Sequence, residues 1–128
     1  KMIKDFLIIS CTGSKDKIGL KINNNFFIQD FQTKTKRNDE LVSTILKFVD
    51  KHNVVFGDKF SIIVNYGPGS FSSIRIAIAV AKGIKLSKKI KLYGFKNSDL
   101  PQFTLKNIDF LINKKLLEKN LINPVYLS

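Results

Sequence analysis

The sequence has few of the side chains that usually carry out chemistry. It contains one cysteine, Cys11, and one histidine, His52, and no tryptophan. A single cysteine excludes an internal disulfide and a cysteine-cluster metal site. A single histidine excludes a histidine-rich metal site and leaves few choices for a nucleophile–histidine pair. The ten acidic residues are scattered, so the sequence predicts no metal site, no cofactor and no complete catalytic constellation.

Long apolar runs are also missing. No run approaches the roughly 18 residues that a membrane span requires, and residues 1–10 lack the long apolar region and the small-residue cleavage site of a signal peptide. We therefore expect a cytoplasmic protein with no membrane partner. With 128 residues, the chain is long enough for one domain that buries about two-thirds of its unfolded surface.

Basic residues greatly outnumber acidic ones, 22 against 10, for a formal net charge of +12. Twenty of the 22 are lysines, accompanied by many isoleucines and asparagines, a joint bias that an A/T-rich coding sequence produces by itself. The lysines are dispersed and do not alternate with aromatic residues, so the sequence offers no stacking platform for bases. Charge alone favours weak, salt-sensitive RNA binding without sequence-specific reading.

The hydrophobic pattern predicts eight elements in the order β-β-β-α-β-α-β-α. Two strands joined by an asparagine-rich turn follow the first strand, and strand–helix units follow them. This order predicts an α/β fold with a mixed five-stranded sheet and helices packed on it. One lobe of the actin-like ATPase (ribonuclease-H-like) fold has this order, and several α+β folds could share it. The predicted strands cover residues 6–10, 17–22, 26–31, 61–64 and 91–95, and the predicted helices cover residues 39–52, 71–86 and 103–120.

The central stretch, residues 65–85, reads NYGPGSFSSIRIAIAVAKGIK. Gly67, Pro68 and Gly69 end the preceding strand in a tight turn, and Ser70 stands at the N-cap position of the following helix. A phosphate-binding P-loop needs a lysine directly after its last glycine, whereas the first lysine here is Lys82. The loop could still hold an anion through backbone N–H groups.

The helix that follows the loop carries two apolar stripes on nearly opposite sides. A helix that packs on one sheet needs only one such stripe, so the second is covered either by the chain itself or by a partner. Arg75 lies on the first turn of this helix. It could bind an anion or a carboxylate of a partner there, or it could be an ordinary surface arginine in contact with water. One stripe is Ile74, Ala77, Ile78 and Ala81, and the other is Ile76, Ala79, Val80, Gly83 and Ile84.

The central stretch closely resembles GPGSFTGLRIG…AKGLA, the signature of the TsaB (YeaZ) family. Residues 6–14 lie where the family has a first strand ending in Asp-Thr-Ser, and residues 39–49 lie where it has a helix after a His-Ser/Thr segment. Residues 124–127, PVYL, resemble the PVYLR that closes the family's chain. The resemblance covers about residues 2–95 and the tail.

The chain departs from the family pattern in two ways. Ser10 replaces the aspartate at the end of the first strand, and Ser72 and Ser73 replace the Thr-Gly of the signature. Only residues 96–123 stand where the family has a second lobe. The resemblance therefore predicts a short form, with residues 1–96 as a TsaB-like lobe and residues 97–128 as a helical remnant and tail on the same domain.

The resemblance implies a non-catalytic subunit rather than an enzyme. TsaB activates TsaD, which transfers a threonylcarbamoyl group to adenosine 37 of tRNA. TsaD and the ATPase TsaE are therefore the expected partners, tRNA is contacted only through the complex, and the chain alone could form a homodimer. A free-standing ATPase or phosphotransferase of the actin-like fold and a basic tRNA-binding module are the alternatives. The expected signature-loop residues are Gly67, Pro68, Gly69, Ser70, Phe71 and Arg75, and the expected interface residues are Ile74, Ala77, Ile78, Ala81, Leu41 and Ile45.

Overall fold

The computed structural model describes residues 3–13, 15–31, 38–88, 90–119 and 124–126. The predicted order of strands and helices is confirmed, with one short 3-10 helix in addition. The strands are β1 (Asp5–Ser10), β2 (Lys17–Ile22), β3 (Asn25–Asp30), β4 (Phe60–Asn65) and β5 (Lys91–Phe95). The helices are α1 (Asn38–Lys51), α2 (Phe71–Lys88), the 3-10 helix (Asn97–Asp99) and α3 (Leu105–Asn113).

The five strands form one mixed sheet in the order β3-β2-β1-β4-β5. β1 pairs antiparallel with β2 and parallel with β4, which in turn pairs parallel with β5. Because β1, β4 and β5 are parallel, their carboxyl ends lie at one edge of the sheet, where the signature loop begins. The β2–β3 turn contains Asn23 and Asn24 at φ 51° and 71°, and asparagine adopts such positive values more readily than most residues.

Helices cover both faces of the sheet. Successive side chains of a strand point to opposite faces, and in β1 Leu7 joins a core cluster with α1 and α2. Its neighbour Ile8 joins a second cluster with α3. All six residues of β4 are buried, because this central strand lies between the two helical layers.

The third helix is shorter than the sequence predicts. Its pattern favours residues 103–120, whereas α3 ends at Asn113 and Lys115 has a φ of 57°. Thr104 caps the start by accepting a hydrogen bond from the Asn107 backbone N–H. The chain then pairs with the edge of β5, where Glu118 and Gly94 exchange two backbone hydrogen bonds of 2.8 Å. Pairing with the sheet therefore replaces the last turns of the predicted helix.

Among the described residues, none of the helices has the length and hydrophobicity of a transmembrane segment.

Apart from the end of α3, the predicted boundaries of the strands and helices lie within a few residues of those observed. The sequence also favours Asn38 or Asp39 as the cap of α1, and their side chains lie outside the described part of the structure.

Candidate functional site: the signature loop and the outer face of α2

Asn65, the last residue of β4, organises the signature loop. Its side chain is 1% exposed, and its Oδ1 accepts a hydrogen bond of 2.8 Å from the Gly67 backbone N–H. Its Nδ2 donates to Ser10 Oγ at 3.1 Å and to Asn97 Oδ1 at 2.9 Å. One buried amide therefore ties together the ends of β1 and β4 and the segment after β5, and its buried polar atoms are satisfied.

The two loop glycines lie where a side chain would clash. Gly67 has a φ of +108°, and a Cβ there would stand 2.1 Å from the Val125 carbonyl oxygen. A Cβ at Gly69 would stand 2.6 Å from Thr12 Cβ. The peptide bond between Gly67 and Pro68 is cis. The close approach of two other segments to this loop therefore explains the Gly-Pro-Gly sequence.

The C-terminal tail and the β1–β2 turn hold the loop from either side. The Val125 N–H donates to the Tyr66 carbonyl at 2.8 Å, and the Gly69 N–H donates to the Val125 carbonyl at 3.3 Å. The Ser70 N–H donates to the Thr12 carbonyl at 2.8 Å. Ser70 directly precedes α2, as the sequence predicts. These contacts fix the position at which α2 starts.

Tyr66 links the loop to the segment after α3. Its side chain is largely buried, and its hydroxyl donates a hydrogen bond to the Glu118 carboxylate. Burial first, and then the hydrogen bond to Glu118, raises the pKa of Tyr66 from 10.0 to about 12, because both disfavour the phenolate.

This pair predicts a loss of stability at alkaline pH. Because the folded state holds the Tyr66 proton more tightly than the unfolded state, the contribution is complete below pH 10 and is lost as the pH rises towards 12. We expect the free energy of unfolding to fall more steeply between these values in the wild type than in Tyr66→Phe. Chemical denaturation at a series of pH values measures this, and equal slopes would contradict the assignment. Glu118→Gln, which removes the carboxylate, should give an intermediate slope.

The carboxyl end of β1 carries no carboxylate. Ser10 stands at this position, and the buried carboxylate nearby, Asp16, accepts hydrogen bonds of 3.0 and 2.9 Å from the backbone N–H groups of Thr12 and Gly13. Asp16 therefore closes the β1–β2 turn. Within the described ranges, no group of three His, Cys, Asp or Glu side chains could hold a metal ion.

A cavity of about 540 Å³ opens beside this strand end. Ser10, Thr12 and Lys15 contribute polar and basic side chains to its wall. Lys17 also lines it, and the Lys17 amino group forms an ion pair with Asp30. This arrangement offers hydrogen-bond donors to a small polar ligand, and no acid–base pair accompanies them among the described lining residues.

The six residues expected at the partner interface lie in the core. None is more than 5% exposed, because their side chains face the sheet and the neighbouring helix and form part of the core cluster. Burial corrects the expectation that this stripe contacts a partner. The six are Ile74, Ala77, Ile78, Ala81, Leu41 and Ile45.

This placement predicts that enlarging Ala77 destabilises the fold. Ala77 is 0% exposed, and overpacking a filled core costs about 1–3 kcal/mol. We expect Ala77→Leu to lower the free energy of unfolding by that amount in urea denaturation. Ala79, two residues along the same helix, is exposed, so Ala79→Leu is the matched control, with a change of less than about 0.5 kcal/mol. Equal effects at both positions would contradict the orientation of α2.

The other stripe of α2 is partly exposed, and we call it the outer α2 face. Ala79 and Gly83 are exposed, and a Cβ at Gly83 would meet nothing within 4 Å. The remaining three side chains are half-buried and pack against the core at its rim. The outer α2 face consists of Ile76, Ala79, Val80, Gly83 and Ile84, none of which is charged.

Two exposed residues of the signature lie at the start of α2. The Phe71 ring is 54% exposed and packs on the Tyr126 ring, with 4.7 Å between ring centroids. The Arg75 guanidinium carbon lies 4.6 Å from the Phe71 centroid, a cation–π distance. Arg75 therefore packs against an exposed aromatic side chain of its own helix, beside the outer α2 face.

Comparison with known protein families gives a match over residues 32–99, which include α1, β4, the signature loop, α2 and β5. The matching family is TsaD: tRNA N6-adenosine threonylcarbamoyltransferase. The chain belongs to this family. The match covers more than half of the chain and contains both the signature loop and the outer α2 face. No curated protein matches the chain significantly.

Two solved structures share the fold. YeaZ from Pseudomonas aeruginosa superposes with a TM-score of 0.64 at 18% identity, over 76% of this chain and 45% of that one. A protein with similarity to peptidase YeaZ, also from Pseudomonas aeruginosa, gives 0.63 at 18% identity, over 76% and 44%. The predicted TsaB-like, actin-like lobe is therefore confirmed as a fold. The chain spans less than half the length of either structure.

Sequence reasoning missed the connections around the loop. The sequence offers one signal for the role of Asn65. It is an asparagine at the end of an apolar strand, shortly before Gly-Pro-Gly, and asparagine side chains often hydrogen-bond the backbone of a turn. Nothing in the sequence pairs Tyr66 with Glu118, because they are 52 residues apart. The outer α2 face was visible as a stripe, but its exposure depends on how the helix packs.

Proposed function

We propose that the chain is a non-catalytic subunit that binds and activates a TsaD-type threonylcarbamoyltransferase, so that adenosine 37 of tRNA is modified. Membership of the TsaD family and a TsaB-like fold support a role in this modification. Ser10 at the end of β1, in place of a carboxylate, favours a supporting role over a catalytic one. The transferase is the direct partner in this proposal, TsaE joins the complex, and tRNA is contacted only through it.

The outer α2 face is the observation that carries the proposal. An exposed alanine and an exposed glycine, four residues apart on α2, let the backbone of a second helix approach closely. The half-buried side chains of Ile76, Val80 and Ile84 supply apolar area on one side of this pair, and the exposed Arg75 and Lys82 border it on the other, as a charged rim borders the apolar centre of a protein interface. We therefore place the transferase on this face, in contrast to the buried stripe that the sequence favoured.

The same face could bind a second copy of this chain when the transferase is absent. A two-fold dimer would bring two outer α2 faces together, since isologous interfaces use the same patch on both subunits. The homodimer and the heterodimer are then mutually exclusive. The proposal therefore requires that the transferase displaces any self-association.

Light scattering on a size-exclusion column tests the proposal. The chain is measured alone and mixed with TsaD from the same organism, each at micromolar concentration. We expect a one-to-one complex at the summed mass, with any homodimer peak lost on mixing. Separate elution of the two proteins would overturn the proposal, as would a homodimer that persists in the mixture.

RNA binding is the second candidate function, because the formal net charge is +12. A basic module would bind tRNA without the transferase, and its affinity would fall steeply with salt. A filter-binding titration of this chain alone with tRNA at two salt concentrations distinguishes the two functions. The subunit proposal predicts tight binding only when the transferase is present.

A further inference from the structure

A second cavity, of about 370 Å³, lies at the opposite edge of the sheet from the signature loop. It is bordered by the amino ends of β1, β4 and β5, and we call it the lysine pocket. Ser61 and Lys91 pair across β4 and β5, and Tyr93 pairs with Ile63 two residues along. These side chains share the sheet face that packs on α3. The lysine pocket is therefore separate from the outer α2 face.

Three lysines give this cavity its charge. Lys4, Lys59 and Lys91 line it together with a single acidic residue, Asp58. None of the three lysines forms an ion pair in the part of the chain that the structure describes. Three ammonium groups around one concavity repel each other and together favour an anion of high charge density. The pocket therefore has an excess of positive charge that no described residue neutralises.

A hydroxyl group also lines the cavity. Ser61 is 4% exposed as a residue and contributes to the cavity wall. Its hydroxyl can donate a hydrogen bond to a ligand oxygen in the lysine pocket. The Tyr93 ring lines the same cavity and offers an apolar surface beside the charged groups.

We propose that the lysine pocket binds a small phosphorylated molecule, with the phosphate held by the lysine ammonium groups and the Ser61 hydroxyl and the rest of the molecule against Tyr93. Lysine binds phosphate as a point charge, and three lysines line this cavity. A volume of about 370 Å³ lies at the lower end of the range for small-molecule pockets, which suits a mononucleotide. This site is independent of the proposed subunit function.

Isothermal titration calorimetry on the intact chain tests the proposal with three probes at constant ionic strength: inorganic phosphate, AMP and adenosine. We expect AMP and phosphate to bind with one-to-one stoichiometry. Adenosine should bind at least about tenfold more weakly than AMP, because it lacks the charged hydrogen-bond acceptor. Binding of AMP in preference to phosphate identifies a nucleotide-type ligand, and equal binding identifies free phosphate. Absence of saturable binding by both anions would overturn the proposal.

Variants locate the binding site. Lys59→Gln and Lys91→Gln should each weaken AMP binding about tenfold, and Ser61→Ala should weaken it about fivefold. Lys106→Gln is the matched control, because Lys106 is exposed on α3 and does not line the cavity. Unchanged melting temperatures establish that Lys59→Gln and Lys91→Gln remain folded. An equal loss of affinity in Lys106→Gln would show a general charge effect and contradict the site, as would unchanged affinity in both pocket lysine variants.

Discussion

Ala79→Arg is expected to abolish binding to the TsaD-type transferase while the chain stays folded. Ala79 is exposed on the outer α2 face, so the free chain can place an arginine side chain in water. In the complex the guanidinium would be buried between two helices with no designed partner, and an unpaired buried charge is strongly destabilising. We expect the dissociation constant to rise at least about 30-fold, since disrupting a hot-spot residue at the centre of an interface costs about 2 kcal/mol or more.

The control for this variant adds the same charge elsewhere. Asn113 is exposed at the end of α3, on the opposite side of the sheet, so Asn113→Arg should leave the affinity within about twofold. Surface plasmon resonance with immobilised transferase measures both variants, and circular dichroism establishes that both are folded. Wild-type affinity in Ala79→Arg would remove the outer α2 face from the proposed interface.

Gly67→Ala is expected to destabilise the fold by about 3 kcal/mol or more. Gly67 has a φ of +108°, and the added methyl group would stand 2.1 Å from the Val125 carbonyl oxygen. The positive φ at this position and the clash with the Val125 backbone each raise the free energy of the folded variant. Relief requires either a shift of the loop or release of the C-terminal tail, and the tail is held by the hydrogen bond between the Val125 N–H and the Tyr66 carbonyl.

Gly57→Ala is the matched control for Gly67→Ala. A Cβ at Gly57 would meet nothing within 4 Å, and its φ lies outside the range that excludes L side chains. We expect its free energy of unfolding to change by no more than about 0.5 kcal/mol. Urea denaturation compares the two variants. Similar stabilities would contradict the contact between the signature loop and the tail.

Local pattern was enough to predict the sheet. Apolar β-branched runs marked β1 and β4, and the alternation of residues 17–22 marked a strand with one face against the main core. Asn23 and Asn24 marked the hairpin turn, because asparagine tolerates a positive φ. The GPGSF signature then indicated both the loop and the fold. These features depend on neighbouring residues, which a single sequence displays directly.

Features that depend on distant residues could not be predicted. The two stripes of α2 are both apolar, so periodicity alone does not tell which one packs on the sheet, and the stripe that contains Ala77 proves to be the buried one. The end of α3 was misplaced for a similar reason. Residues 114–120 keep a helical pattern, but Glu118 pairs with Gly94 on β5, and the pairing of a strand edge is a tertiary contact. Tertiary packing therefore decided both outcomes.

Transfer of the threonylcarbamoyl group to tRNA, measured with purified components, tests the central claim most directly. The transferase, tRNA and the threonylcarbamoyl adenylate are incubated with and without this chain, and labelled threonine in tRNA is counted. We predict that the chain raises the rate at least about tenfold, that the effect saturates at one chain per transferase, and that Ala79→Arg removes it. A transferase that is equally active without the chain would contradict the account, as would modification of tRNA by the chain alone.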